Sequence, residues 1–306
     1  MASPEADAFH VMVRQFRDAT IGASDTLPSI DEMRAGSEMT MQMIGVGREG
    51  VAVAERTLAG RRTVQLDPPG ADTARVVLYL HGGGYVMNSV DTHLKLGGGI
   101  GVAAGCRVLV FDYRMGPEDP FPAAVDDALA AYRALLGEGI PASSIVISGD
   151  SAGGGLTVAT LVAARDAGLA QPAAAVLFSP WTDLEGVGAS MDANVGVDLM
   201  IERKTMSAVG QMYLAGADVR SPLASVIYAD LHGIAPLLVQ VGGHEVLLDD
   251  STRLAVNAAH AGVAVTLDVF PEMQHVFQSA LGQLPESDEA LARAGSFIRR
   301  SFGLTA

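Results

Sequence analysis

The chain of 306 residues is 49% hydrophobic and 18% charged with 35 glycines, a globular composition at a length where α/β folds commonly form one domain. With 20 basic against 35 acidic side chains the net charge is −15, which argues against nucleic-acid and anionic-membrane partners. A single cysteine, Cys106, excludes an internal disulfide. With no apolar leader and no run near the roughly 18 residues of a spanning helix, a cytoplasmic protein is expected.

Residues 5 to 21 place Phe9, Val13, Phe16 and Ile21 at near-helical spacing and predict an N-terminal helix. The next stretch carries Met33, Met39, Met41 and Met43 with little strand pattern. Methionine fills irregular apolar gaps, so this segment reads equally as a mobile cover or as a loosely packed terminus. From residue 51, "VAVAERTL" and "RRTVQLDPPG" alternate as a hairpin does. Six apolar, β-rich runs follow: "RVVLYL", "CRVLVFDY", "SIVISG", "AAAVLFSP", "APLLVQVG" and "VAVTLDVF". Helical patterns such as "PAAVDDALAAYRALL" and "GGGLTVATLVAARDAG" separate most of them, which predicts a mostly parallel sheet covered on both faces. The interval 183–225 has helix-like pieces and no strand, and reads as an insertion. Gly97, Gly98 and Gly99 are expected to allow close helix packing.

The run "VVLYLHGGGYVM" ends a strand on His81 and three glycines, Gly82, Gly83 and Gly84. Such a triplet is either a plain turn or backbone N–H groups left open for a ligand atom. Further on, Gly149-Asp150-Ser151-Ala152-Gly153 fits G-x-S-x-G between a strand and a helix. Small neighbours let the turn tighten, the serine projects Oγ above the sheet, and the helix N-terminus favours a developing oxyanion.

A serine hydroxyl needs a base to become a nucleophile. Of the seven histidines, His275 alone lies in a loop between a strand ending at Phe270-Pro271 and a following helix, downstream of the serine. His232 and His260 do not follow a strand in the right place, and His244 shares its loop with the candidate acid, which disfavours a triad geometry between them. The acid is sought in the loop after the preceding strand, where "GGHEVLLDDS" offers Glu245, Asp249 and Asp250. Glu245 is nearest the strand end and is chosen, with Asp249 in reserve. Asp249 and Asp250 fit the first turn of the next helix.

His81-Gly82-Gly83-Gly84-Tyr85, "GDSAGG", "YRMGPEDPFPAAVDD" and "FPEMQHVF" together resemble the hormone-sensitive-lipase-like esterases, also called bacterial family IV carboxylesterases. The resemblance runs from about residue 75 to 280. It implies an α/β-hydrolase fold, a mostly parallel central sheet flanked by helices. It also implies a helical cap built from about 1–45 and 183–225. It places the triad on Ser151, Glu245 and His275, and the oxyanion donors on the backbone N–H groups of Gly83, Gly84 and Ala152. Two positions depart from the family pattern: glutamate stands where aspartate is usual, and Gly116 where alanine is common.

The function expected is hydrolysis of short-chain carboxylic esters, without metal or cofactor, on a small-molecule ester substrate. An amidase or peptidase, or a non-catalytic small-molecule receptor on the same fold, are the alternatives. Gly82 is expected to supply turning freedom and His81 to orient the loop. Asp150 either braces the elbow or merely tolerates the turn. Tyr85, Trp181 and Phe277 are candidate pocket residues. Asp112, Arg114 and Glu118 are expected to form one polar network beneath the site. The edge strand "VAVTLDVF" could pair a homodimer or be covered.

Overall fold

A computed structural model describes residues 2–20 and 28–305. Two helices open the chain, α1 (Pro4–Thr20) and α2 (Ile30–Met43). Of the predicted helical positions, Phe9 and Val13 are buried. Ile21 lies outside the described residues, as does the side chain of Phe16. α2 starts on a capping box, Ser29 accepting from the Glu32 N–H while the Glu32 carboxylate receives the Ser29 N–H. The methionine-rich stretch is therefore mostly regular helix.

The hairpin is β1 (Ala52–Leu58) and β2 (Arg61–Asp67), followed by β3 (Asp72–Leu80), α3 (Leu94–Ala104) and β4 (Cys106–Phe111). Then come α4 (Ala123–Gly137), β5 (Ile145–Asp150), α5 (Ala152–Asp166) and β6 (Ala174–Phe178). The interval 183–225 holds the short α6 (Ser190–Ala193) and α7 (Arg203–Leu214), with no strand among them. β7 (Leu237–Gly242), α8 (Leu248–His260), β8 (Val265–Phe270) and α9 (Pro285–Ser301) complete the chain.

The eight strands form one sheet in the order β1-β2-β4-β3-β5-β6-β7-β8. β1, β2 and β4 pair antiparallel, and every pair from β4 to β8 is parallel. Alternation along β3 sends Val76, Leu78 and Leu80 into the core under α4 and α5, and Val77 and Tyr79 into the core under α3 and α9. With both faces covered, β5, β6 and β7 are buried throughout and β4 at every position but Arg107, which is why they read as apolar runs.

Glycines let α3 lie close on the sheet at Gly97 and close on the segment around α9 at Gly99. A Cβ on Gly97 would stand 2.9 Å from Leu66, and one on Gly99 would stand 2.6 Å from Leu281. Gly98 has ordinary clearance, 3.8 Å from Val51, so the close-packing role belongs to its two neighbours. Cys106 is buried in β4, and burial pushes its thiol up to about 12. A third apolar cluster docks Ala6, Phe9 and Val13 of α1 on Phe270, Met273 and Phe277. No helix among the described residues is long and apolar enough to cross a membrane.

Candidate active site

The parallel register brings the carboxyl ends of β3, β5, β6, β7 and β8 to one edge, where open α/β sheets bind ligands. Ser151 follows β5 directly and takes φ 51° and ψ −122°, a conformation a non-glycine residue holds at a cost of about 1–3 kcal/mol. Its carbonyl accepts from the N–H groups of Gly154, Gly155 and Trp181 at 3.0, 3.1 and 2.8 Å. Its N–H donates to the Phe178 carbonyl at 2.9 Å. The flanking glycines follow from crowding. A Cβ on Gly149 or Gly153 would fall on backbone carbonyls of the elbow itself or of β3.

His275 stands in the loop after β8, with Nε2 3.0 Å from Ser151 Oγ. Its Nδ1 lies 2.9 Å from Glu245 Oε2. The other Glu245 oxygen accepts from Ser179 Oγ at 2.6 Å and from the Gly242 N–H at 2.5 Å. Ser151 and His275 are each 8% exposed and Glu245 is fully buried. Burial pushes the Glu245 carboxyl up, and hydrogen bonds from His275 and Ser179 oppose it. Burial also works against a charged His275, but the hydrogen bond and charge of Glu245, with Asp198 and Asp150, outweigh it and raise its pKa. Gly242, the last residue of β7, leaves room for this carboxylate: a Cβ there would meet the Met273 backbone and stand 2.9 Å from Glu245 Oε1.

Asp249 lies on the first turn of α8 and accepts the Ser190 N–H at 3.0 Å, so the reserve acid is engaged elsewhere. Asp250 beside it accepts the Thr182 and Asp183 N–H groups, and burial pushes its carboxyl up to about 7.

The glycine loop leads from β3 past the elbow. Gly83 has φ 114°, Gly84 φ 62° and Tyr85 φ 64°, so these residues make the turn. Gly82 is not in the left-handed region, contrary to the expectation of turning freedom. A Cβ there would fall on the Asp150 carboxylate, so its need for glycine is close approach. The Gly82 N–H donates to Asp150 Oδ1 at 3.0 Å, and Tyr79 Oη donates to the same oxygen at 2.7 Å. Asp150 thus braces the loop and does not merely tolerate the turn. The N–H groups of Gly83, Gly84 and Ala152 have no hydrogen-bond partner among the described residues. His81 Nδ1–H donates to the Gly82 carbonyl at 2.8 Å while its ring stacks on Tyr113, the contacts of a loop support.

Tyr85, Trp181 and Phe277 are each 1% exposed, so they are core. Tyr85 stacks on Tyr213 with centroids 3.9 Å apart, and Trp181 lies behind Gly84. The expected single network of Asp112, Arg114 and Glu118 is three separate pairings: Asp112 faces His81, Arg114 pairs with Asp127, and Glu118 pairs with Arg34 of α2. Intervening turns point the three side chains apart.

Two polar groups at the site escaped the sequence reading. Ser179 braces Glu245 and also accepts the Val276 N–H at 3.1 Å, joining the acid and histidine loops. Its place immediately after an apolar strand, in "LFSP", was a usable signal. Asp198, from the insertion, is buried and accepts the Val246 N–H at 2.9 Å. No motif marks it.

A family model described as the alpha/beta hydrolase fold matches residues 77–279. An acetyl-hydrolase of Streptomyces hygroscopicus is 45% identical over 84% of this chain and 86% of its own. An esterase of Acinetobacter venetianus is 33% identical over 78% of this chain and 79% of its own. Among solved structures, an esterase of the bacterial hormone-sensitive lipase family superposes with a TM-score of 0.93 at 42% identity, covering 99% of this chain and 100% of that one. The chain belongs to the α/β-hydrolase-fold family and, within it, to the hormone-sensitive-lipase-like carboxylesterases.

Proposed function

We propose that this esterase cleaves short-chain, uncharged carboxylic esters through Ser151, His275 and Glu245, by way of an acyl-enzyme. The observation that carries the reading is the unbroken chain of contacts from Ser151 Oγ through both ring nitrogens of His275 to Glu245. Ser151 Oγ attacks the ester carbonyl as His275 Nε2 takes its proton. The same proton passes to the departing alcohol, and a water activated by His275 then releases the acid. Glu245 fixes the tautomer in which Nδ1 carries hydrogen and stabilises the imidazolium. The N–H groups of Gly83, Gly84 and Ala152 receive the oxyanion, each contributing about 3 kcal/mol in the transition state.

The small exposure of Ser151 and His275, each 8%, supports short acyl chains, and the name of the Streptomyces relative points the same way. α1, α2 and the interval 183–225 are assigned as the cap over the site. The test is burst and steady-state kinetics on p-nitrophenyl esters of increasing chain length. Esters of two to six acyl carbons are expected to turn over fastest, and Ser151→Ala to abolish the burst. Turnover that survives Ser151→Ala removes the assignment.

A further inference from the structure

Asp150 sits one residue before the proposed nucleophile, is 4% exposed, and is not used in the chemistry above. Burial alone would raise its pKa, yet interactions with His93, Tyr79 and His81 hold it low, so it is a buried carboxylate. A carboxylate accepts only, so the fully buried His93 ring facing it, with Nε2 3.2 Å from Oδ1, presents an N–H there. The other nitrogen, Nδ1, lies 2.8 Å from Thr92 Oγ1, and that hydroxyl accepts the Ser89 N–H at 3.1 Å.

These contacts meet on the oxyanion loop from both ends. At its start, Gly82 N–H binds Asp150 directly; at its end, Ser89 is tied to Asp150 through Thr92 and His93. Between the anchors, the Gly83 carbonyl accepts from Val86 and Met87, closing the turn that carries the proposed donors. We propose that Asp150 and His93 are positioning residues that hold the oxyanion loop to the nucleophile elbow at both ends, so that the donor amides keep a fixed distance from Ser151 Oγ. This rests on the catalytic reading above. His93 matters through its Nε2–H, a donor that glutamine can reproduce and that alanine and asparagine cannot, asparagine reaching only as far as Nδ1.

The test uses the full chain and compares His93→Ala, His93→Gln and His93→Asn. Each is assayed with p-nitrophenyl acetate and with an alkyl trifluoromethyl ketone, which adds to the serine and leaves an oxyanion in the hole. Rates are scaled to active sites counted by burst. His93→Ala is expected to lower kcat by about 10- to 100-fold with KM within about twofold, because displacement of the loop affects the transition state more than the bound ester. Ketone affinity should fall by the same factor as kcat/KM, and His93→Gln should recover most of both. Unchanged kcat in His93→Ala, or a loss of kcat without weaker ketone binding, overturns the proposal. Should His93→Ala not fold, the other pair decides: Gln active with Asn impaired supports it, and equal activity overturns it. Ser151→Ala separates the levels. If it is inactive while the His93 variants behave as wild type, only the positioning role is lost; if it stays active, the catalytic reading falls as well.

Discussion

The loops at the carboxyl edge of the sheet and the helix α2 that is tied to them are built on opposite terms. Around the edge, Tyr85, Ser151, Ser179 and Val276 all hold positive φ values, 64°, 51°, 46° and 50°. Such strain persists only where packing leaves the backbone no alternative, and here buried strands on both sides supply that constraint. α2 has no buried residue at all. Ile30 and Met33, partly buried, pack on the main core, and polar contacts supply further ties: Arg34 Nε donates to the Val86 carbonyl at 2.8 Å, its guanidinium pairs with Glu118, and Ser37 bonds Asn88. The edge loops are therefore held by the core, whereas α2, proposed above as part of the cap, rests on partly buried contacts and polar ties, the kind of element that opens first. Substitutions at the edge should strike turnover, and substitutions in α2 should strike the cover.

The largest effect expected at the edge separates the two candidate acids. Glu245→Gln keeps the shape but allows the wrong imidazole tautomer, and kcat should fall about 10³- to 10⁴-fold, as for other triads. Asp249→Asn, whose carboxylate serves the Ser190 N–H, should change kcat less than about threefold. Equal losses in steady-state assays would show that rigidity, not the acid, was being measured. Next comes Gly83→Ala. Its Cβ would fall on the Met87 carbonyl at φ 114°, so the loop must move, and kcat should drop about 10²-fold. Gly105→Ala is the control, a positive φ of 66° with open space around it: about 1 kcal/mol of stability lost by thermal melt, with kcat unchanged.

The same contrast explains what could be read from the sequence. The six apolar runs gave the parallel strands because two-sided burial leaves a one-dimensional mark, and G-x-S-x-G gave the elbow because backbone crowding demands glycine on each side. Glu245 and His275, expected from their places after β7 and β8, lie 2.9 Å apart. What escaped was contact between distant segments. Asp150 reaches Gly82, Ser179 reaches Glu245, and Asp198 comes from an insertion without period or motif. His93 was passed over because it precedes the serine, which excludes it as triad base but not as a support. The polar group at 112–118 was misread as one network because neighbours in sequence point to different partners.

A smaller effect concerns pH. His275 must be neutral to take the serine proton, so activity is lost as pH falls through its pKa. Glu245 raises that pKa, so the acid limb of kcat/KM should have its midpoint above the ordinary histidine value of about 6.5. In Glu245→Gln the raising charge is gone while burial still disfavours the imidazolium, so the residual activity should show a lower midpoint. A midpoint that stays in place would assign the limb to another group.

The smallest expected effect lies in α2 and tests its attachment. Arg34→Met keeps much of the aliphatic stem but removes the donors to Val86, Gly116 and Glu118. The Arg34–Glu118 pair is partly exposed, 31% and 56%, so its loss should cost no more than about 1 kcal/mol and the melting temperature should barely move. Thermolysin cleavage within α2 should nevertheless accelerate, because a helix with only partly buried residues opens more often when polar ties go. The freed Val86 carbonyl lies in the turn closed on Gly83, so kcat on p-nitrophenyl acetate should fall, but only by about two- to fivefold. If cleavage and kcat both stay at wild-type values, α2 is held by something other than Arg34. If kcat collapses as in Gly83→Ala, the cover is part of the reaction geometry, and the division between the two regions fails.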